Sequence, residues 1–289
     1  MKSKTHKYLT RQYMLSSDYE IFHYLNTDLD IISLHHHDFY EIYLFISGDV
    51  TYLIEGKSYC LKPGDIILLN SKELHQAIIN KKDSNYERIV LWISRAFLEE
   101  LSTEKTDLSL CFEGQNRKNV LRGDIETSKN IKLLLNKLLG LEDYKDIGKE
   151  LLYKAYIMEL MVHLNNLIFN EDIHLGYDIR KNNLIDGMIE YINNHINEDI
   201  TLDKLSEHFY LSKYHLSREF KNHTGTTIHR YIVQKKLIEA KELIIKKTPI
   251  TEVYKQCGFG DYSNFFRAFK NEYGVTPKQF YDSMIIMKR

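Results

Sequence analysis

Within HHHDFYEIYLFISG, residues 35 to 48, three histidines precede a carboxylate at a spacing that suits a β-strand. Side chains alternate across a strand, so His35, His37, Glu41, Tyr43 and Phe45 are expected on one face and His36 on the other, at the surface. With His75 added, three imidazoles and one carboxylate form a donor set that suits Zn, Mn, Fe or Ni. The same groups can instead hydrogen-bond one another or line a small-molecule site. Tyr52, Ile54, Tyr59, Leu68 and Trp92 are expected to fill out an apolar, aromatic lining around them, and a few convergent polar groups in such a lining describe a ligand pocket. The expected effector contacts are thus His35, His37, Glu41, Tyr43, Phe45, Tyr52, His75 and Trp92. The metal-ligand set within them is His35, His37, Glu41 and His75.

A second chemistry lies near the other end of the chain. In GFGDYSNFFRAFKNEYGVTP, residues 258 to 277, Phe265 and Phe269 are four apart and face a core, whereas Tyr262, Ser263, Phe266, Arg267 and Lys270 follow the opposite stripe. Sliding the chain by 49 positions lays Arg218 on Arg267, Phe220 on Phe269, Lys221 on Lys270, Asn222 on Asn271 and Gly225 on Gly274. Ser212 and Asp261 stand where N-caps are needed, and Thr227 and Thr276 cap the helices that follow. The earlier unit contains a short helix, a tight turn near Phe209 to Leu211 and a second helix with Lys213, Tyr214, Ser217, Arg218 and Lys221 on its polar stripe. That is a helix-turn-helix, whose second helix enters the major groove of DNA. Residues 181–289 hold 17 Lys and Arg against 13 Asp and Glu, an excess of +4 that leaves −5 for residues 1–180. So modest an excess supports nucleic-acid binding because the cations share helix faces.

The positioning elements follow from periodicity and length. A chain of 289 residues suits two domains. Residues 1 to 20 read as a loosely held arm. From Tyr19 to Trp92, short runs of alternating apolar and polar residues, broken at Ser47-Gly48-Asp49, Glu55-Gly56-Lys57 and Lys62-Pro63-Gly64-Asp65, predict antiparallel strands in a small barrel or jelly roll. From Asp124 to Asn170 the period is helical, with Ile131, Leu134, Leu135, Leu138 and Leu139 on one stripe. Leu151 through Phe169 is apolar on more than one face; one face can cover the barrel, while Leu160, Leu164, Leu167 and Ile168 suit either a partner subunit or the same domain. The fold class expected is two-domain α+β: a β-barrel with helices over 1–170, a linker over 171–183, and an all-α domain with two helix-turn-helix motifs over 184–289. Cys60, Cys111 and Cys257 are odd in number and lack metal-like spacing, which points to a reducing compartment and packing roles. No secretory leader and no uncharged apolar run of about eighteen residues is present, so a cytoplasmic protein without a membrane partner is expected.

Two resemblances attach to these residues. His35, His37, Glu41 and Gly48 match the first motif of the cupin family, and Gly64 and His75 match its second, with Asn70 and Lys72 standing where that family carries Pro and Gly. Residues 184 to 286 resemble the DNA-binding domain of AraC/XylS-type transcription regulators, through both units, the connecting helix and the ending ITEVYKQCGFGDYSNFFRAFKNEYGVTPKQF. The resemblance implies that the upstream barrel binds an effector, with sugars the leading class, and forms a homodimer. It further implies base contacts by Lys213, Tyr214, Ser217 and Arg218 in one helix and Tyr262, Ser263, Asn264 and Arg267 in the other, with Lys221 and Lys270 on phosphates. Phe266 departs from the polar residue expected on that stripe. Double-stranded DNA, a small-molecule effector and RNA polymerase are the implied partners, no cofactor is required, and a divalent metal is the alternative occupant of the barrel. The competing function is a metal-dependent cupin enzyme fused to a DNA-binding domain.

Overall fold

The alternating segment folds into seven antiparallel strands in the computed structural model of the protein: β1 (Tyr19–Asn26), β2 (Tyr40–Ser47), β3 (Val50–Ile54), β4 (Lys57–Cys60), β5 (Ile66–Leu69), β6 (His75–Ile79) and β7 (Tyr86–Ile93). The structure describes residues 5, 6, 8, 13–27, 29, 32–81, 85–115, 117–169, 179, 180 and 182–286. After β7 come α1 (Arg95–Leu101), α2 (Leu110–Glu113), β8 (Val120–Leu121), α3 (Ile125–Gly140), α4 (Lys149–Phe169) and β9 (Ile179–Arg180). The strands make two sheets, ordered β1-β7-β2-β5-β8 and β6-β3-β4-β9. By contact the chain divides into two units, Met1–Arg180 and Lys181–Arg289.

The period of two sorts the larger sheet into two cores. Ile42 and Leu44 of β2, Ile66 and Leu68 of β5, and Ile89, Leu91 and Ile93 of β7 face α3 and α4, where Ile131, Leu134, Leu135, Leu138, Leu160 and Leu164 meet them. Tyr43, Phe45, Ile67, Leu69, Val90 and Trp92 face the barrel interior with Tyr52, Ile54 and Tyr59. Leu68, expected inside the barrel, therefore lies on its helix-covered side, because it is one register position from Ile67 and Leu69. Leu160, Leu164, Leu167 and Ile168 are buried in the chain's own core, so they are not a partner surface. The exposed apolar face of α4 carries Leu151, Met158, Val162 and Phe169 instead.

Two further expectations change, and a third lies mostly outside the described residues. His36 is buried, not at the surface, because β2 starts only at Tyr40 and the preceding residues do not alternate as a strand. Where the arm is described it is bonded: the His6 amide donates to the His23 carbonyl at 2.6 Å, and Tyr8 packs edge-on to Tyr24 at 5.5 Å. The linker falls mostly on 170–178 and 181, outside the described residues, but Ile179 and Arg180 form β9 against β4 and Asn182 caps the next helix.

The second unit is helical: α5 (Asn183–Asn194), α6 (Leu202–Phe209), α7 (Lys213–Thr224), α8 (Ile228–Ile245), α9 (Ile250–Gln256), α10 (Tyr262–Tyr273) and α11 (Pro277–Ile286). Its boundaries are set by side chains. Ser212 accepts from the His215 amide, Asp261 from Asn264 and Thr227 from Arg230, while Thr276 and Gln279 cap one another's amides at 3.2 and 2.9 Å, a reciprocal capping box. Leu216, Phe220, Phe265 and Phe269 are fully buried, each aromatic supplying about 1.5–3 kcal/mol of burial. Lys236 of α8 is buried and donates to the carbonyls of Glu198, at 2.8 Å, and Gly258, at 2.5 Å, tying the loop before α6 to the loop before α10. No helix among the described residues is long and apolar enough to cross a membrane.

Candidate functional site

Inside the barrel, the histidines are oriented by backbone carbonyls. His37 Nδ1 donates to the Phe39 carbonyl at 2.9 Å and His75 Nδ1 to the Glu73 carbonyl at 2.9 Å. A carbonyl can only accept, so in each neutral ring the proton sits on Nδ1 and Nε2 presents a lone pair. Both Nε2 atoms are buried and have no hydrogen-bond partner. Glu41 Oε2 lies 3.5 Å from His37 Nε2 and accepts from Trp92 Nε1 at 2.8 Å. The donor atoms of His37, Glu41 and His75 all fall within 4.8 Å of one another. Three electron-pair donors facing each other require a cation between them, either a proton on an Nε2 or a metal ion. The carbonyl-oriented rings are what a metal site needs from its surroundings, so these three residues fit a divalent transition metal.

His35 is not a member of that group. It joins β6 through two backbone hydrogen bonds with His75, its Nδ1 donates to the Ser33 carbonyl, and its ring stands 4.3 Å from the His75 ring. The expected four-residue ligand set is thereby reduced to three. Burial, then the neighbouring imidazoles, hold His75 well below the usual histidine value and His35 below it too, so both rings stay neutral. Burial pushes Glu41 upward, but the His37 imidazole 3.5 Å away, the His35 ring beyond it and the Trp92 N–H outweigh burial and hold the carboxyl below its usual value. The turn before His75, where Asn70 and Lys72 replace Pro and Gly, is held by side chains: Asn70 Oδ1 accepts from the Lys72 amide at 2.7 Å and Glu73 Oε2 from the Asn70 amide at 2.9 Å.

The remaining expected contacts extend from this triad. Tyr52 stacks on His75 at 6.2 Å and meets Tyr43 edge-on at 5.4 Å; Tyr43 donates to the Tyr86 hydroxyl, and Phe45 packs near Tyr86. Burial raises the Tyr43 and Tyr52 hydroxyls well above 10, so they remain phenols. Phe39, Tyr24, Tyr86 and Arg88 also line the interior and were missed. The signal for two of them was available: Trp92 was placed inside, and a period of two carries that face to Val90, Arg88 and Tyr86.

In the second unit, α6 and α7 are joined through Tyr210 in a left-handed conformation, φ 54°, and the Ser206 hydroxyl donates to the Leu211 carbonyl at 2.6 Å. On α7, Lys213, Tyr214, Arg218 and Lys221 are exposed and Ser217 is half-buried; on α10, Tyr262, Ser263, Asn264, Arg267 and Lys270 are all exposed. Phe266 is half-buried, its ring 6.1 Å from that of Tyr262. Acidic and amide groups already engage the stripe: Lys213 pairs with Asp203, Arg218 contacts Glu219 at 3.3 Å, and Arg267 Nη2 donates to Asn264 Oδ1 at 2.7 Å. Asp203 and Glu219 were not singled out from the sequence, where they read as surface charge.

Comparison with known proteins places both units. A family model described as an AraC-like ligand binding domain matches residues 19–161, and a helix-turn-helix domain model matches residues 205–283. The HTH-type transcriptional activator RhaS of Salmonella paratyphi A is 26% identical over 251 residues, 84% of this chain and 85% of the relative. The C-terminal domain of the response regulator yesN from Fusobacterium nucleatum is 32% identical over 35% of this chain and 99% of its own, with a TM-score of 0.34. Unsaturated fatty acid bound ToxT from Vibrio cholerae is 14% identical, covers 92% of this chain and 95% of its own, and has a TM-score of 0.39.

Proposed function

We propose that this chain, which belongs to the AraC family of DNA-binding transcription regulators, reads two successive major grooves with α7 and α10 under the control of a small molecule held in the barrel. The observation that carries the reading is the duplicated capped helix, with Arg218 and Arg267 exposed at equivalent positions above equivalent buried cores. Arg218 and Arg267 suit bidentate contact with guanine and Asn264 with adenine, Lys213, Tyr214, Ser217, Tyr262 and Ser263 complete the base-facing set, and Lys221 and Lys270 meet phosphates. Electrophoretic titration of the purified chain on DNA selected from a random library tests this. A selected site bound far more tightly than random DNA, with log affinity falling linearly against log salt, supports it. Equal affinity for selected and random DNA refutes it.

Control is a population shift: the effector favours one arrangement of the regulator, and that arrangement binds DNA differently. The acting species is a cytoplasmic homodimer, paired through the exposed Leu151, Met158, Val162 and Phe169 of α4, whose spacing keeps them on one stripe. It activates by recruiting RNA polymerase, the direction consistent with a relative described as an activator. No catalytic step is assigned to it; the match of both units to regulator domains supports that reading.

The orphaned Nε2 atoms of His37 and His75 favour one addition. A divalent transition metal bound by His37, Glu41 and His75 would satisfy them and supply a Lewis-acidic point in the lining. Metal analysis of the purified chain tests this: near-stoichiometric metal, lost in His75→Gln, supports it, and metal-free protein unaffected by added Zn, Mn, Fe or Ni refutes it.

A further inference from the structure

Arg88 stands on the interior face of β7, is only 1% exposed, and is among the largest fully buried side chains of the described residues. An arginine does not discharge in a protein interior, so its positive charge persists there. Burial of an uncompensated charge is among the most unfavourable arrangements a fold can contain. Glu41, the buried carboxylate of the barrel, acts on the same tyrosines as Arg88 but is bonded to Trp92 Nε1, and no carboxylate among the described residues bonds Arg88 itself. Its Nη1 donates to Asn26 Oδ1 at 2.6 Å and to the Tyr86 carbonyl at 3.2 Å, both neutral acceptors. Its Nη2 is buried with no acceptor at all.

The surroundings are aromatic and polar at once. The guanidinium carbon lies 4.0 Å from the Tyr86 ring centroid, 4.8 Å from Tyr24 and 5.3 Å from Tyr8. Ring faces attract a cation and fix its orientation, but they supply no net negative charge. Tyr86 and Tyr43 share a hydroxyl hydrogen bond, and Tyr43 leads on to Tyr52 and the histidines. A cation with a free N–H, hydroxyls beside it and apolar rings beyond describes a receptor for a negatively charged head on an apolar body.

We propose that the effector is an organic carboxylate whose charged head is received by Arg88 Nη2 and whose body lies along Tyr24, Tyr43, Tyr52 and Tyr86. The inference rests on the reading of the barrel as the effector site, and it replaces a neutral sugar by an anion. A structural arginine would be served by the Asn26 and Tyr86 bonds alone; the unused Nη2 and the absence of a directly bonded carboxylate among the described residues are what a structural role leaves unexplained.

The test is thermal unfolding of the full chain in carboxylate-free buffer with hexanoate, benzoate and phenylacetate, each against its neutral amide. At least one acid should raise the midpoint by roughly 5–10 °C at a hundred times its dissociation constant, well beyond its amide. The rise should vanish in Arg88→Met and survive in part in Arg88→Lys. The comparison of acid with amide needs no variant, so it decides even if Arg88→Met does not fold. An amide as effective as its acid, no acid effective beyond its amide, or a full rise retained in Arg88→Met overturns the anion assignment. An acid that stabilises through Arg88 yet leaves affinity for selected DNA unchanged overturns the effector reading and leaves the anion site standing.

Discussion

Gly258 and Gly274 share nearly the same backbone conformation, φ 69° and 73°, in very different surroundings, and alanine at each separates backbone strain from close packing in the helical unit. A Cβ at Gly258 would lie 2.7 Å from both the Asn197 carbonyl carbon and the Glu198 oxygen, whereas one at Gly274 meets nothing within 4 Å. Alanine at 274 therefore carries only the left-handed backbone penalty, about 1–2 kcal/mol. At 258 the same penalty applies, and the overlap is with backbone that cannot rotate aside, adding about 1–3 kcal/mol. Relief requires the loop at 197–198 to move, which strains the Lys236 bonds to Glu198 and Gly258. Gly258→Ala should cost about 2–5 kcal/mol in all, and at about 4 °C per kcal/mol should lower the midpoint by roughly 8–20 °C, against 4–8 °C for Gly274→Ala. Circular dichroism at 222 nm during heating measures both. Equal losses in the two variants, within about 0.5 kcal/mol, would refute the close-packed seam between the loops before α6 and α10.

Replacing Met158 by Lys and Val162 by Glu, both exposed in the single chain, should convert the dimer to monomer in sedimentation; an unchanged sedimentation coefficient would exclude this face of α4. Because burial and neighbouring imidazoles hold His35 and His75 below 6.5, the unfolded chain takes up protons near 6.5 that the folded one refuses. These two groups destabilise the fold as pH drops through 6.5 and are silent above it, with a slope of up to about 1.4 kcal/mol per pH unit each. Urea unfolding followed by Trp92 fluorescence from pH 7.5 to 5.5 should show that loss, and a flat or rising midpoint would contradict it. Asp203→Asn should release Lys213 to the DNA and remove a negative charge beside it, tightening DNA binding a few-fold, while stability changes by under about 0.5 kcal/mol because the pair is exposed; unchanged DNA affinity would place Lys213 away from the DNA.

Much of the DNA-reading unit was legible because its signals are local. Ser212, Asp261, Thr227 and Thr276 cap helices within three residues of themselves, and Leu216, Phe220, Phe265 and Phe269 announce their buried face by spacing alone. The barrel was legible wherever a strand was regular: Glu41, Tyr43 and Phe45 share the interior face as alternation requires. It failed at 34–39, where His35 pairs with His75 across the sheets and His36 is buried, since register between distant strands is not written in either one. Leu68 is misplaced, and the α4 leucines are left between two alternatives, for a related reason. An apolar residue in a sheet or helix buried on two sides has two candidate cores, and only packing chooses. Arg88 is not legible as an interior residue because a charged side chain amid ERIVLWI reads as a surface position.

Separate grooves for α7 and α10 make the two arginines govern different bases. Selecting DNA sites from a random library with the wild-type chain, Arg218→Ala and Arg267→Ala, and comparing base preferences position by position, tests it most directly. Two preferred clusters about 10–10.5 base pairs apart are expected, with Arg218→Ala relaxing one, Arg267→Ala relaxing the other, and each weakening the full site by about 1–3 kcal/mol, or about 5–150-fold. A single cluster, or two substitutions that relax the same bases or none, would contradict it.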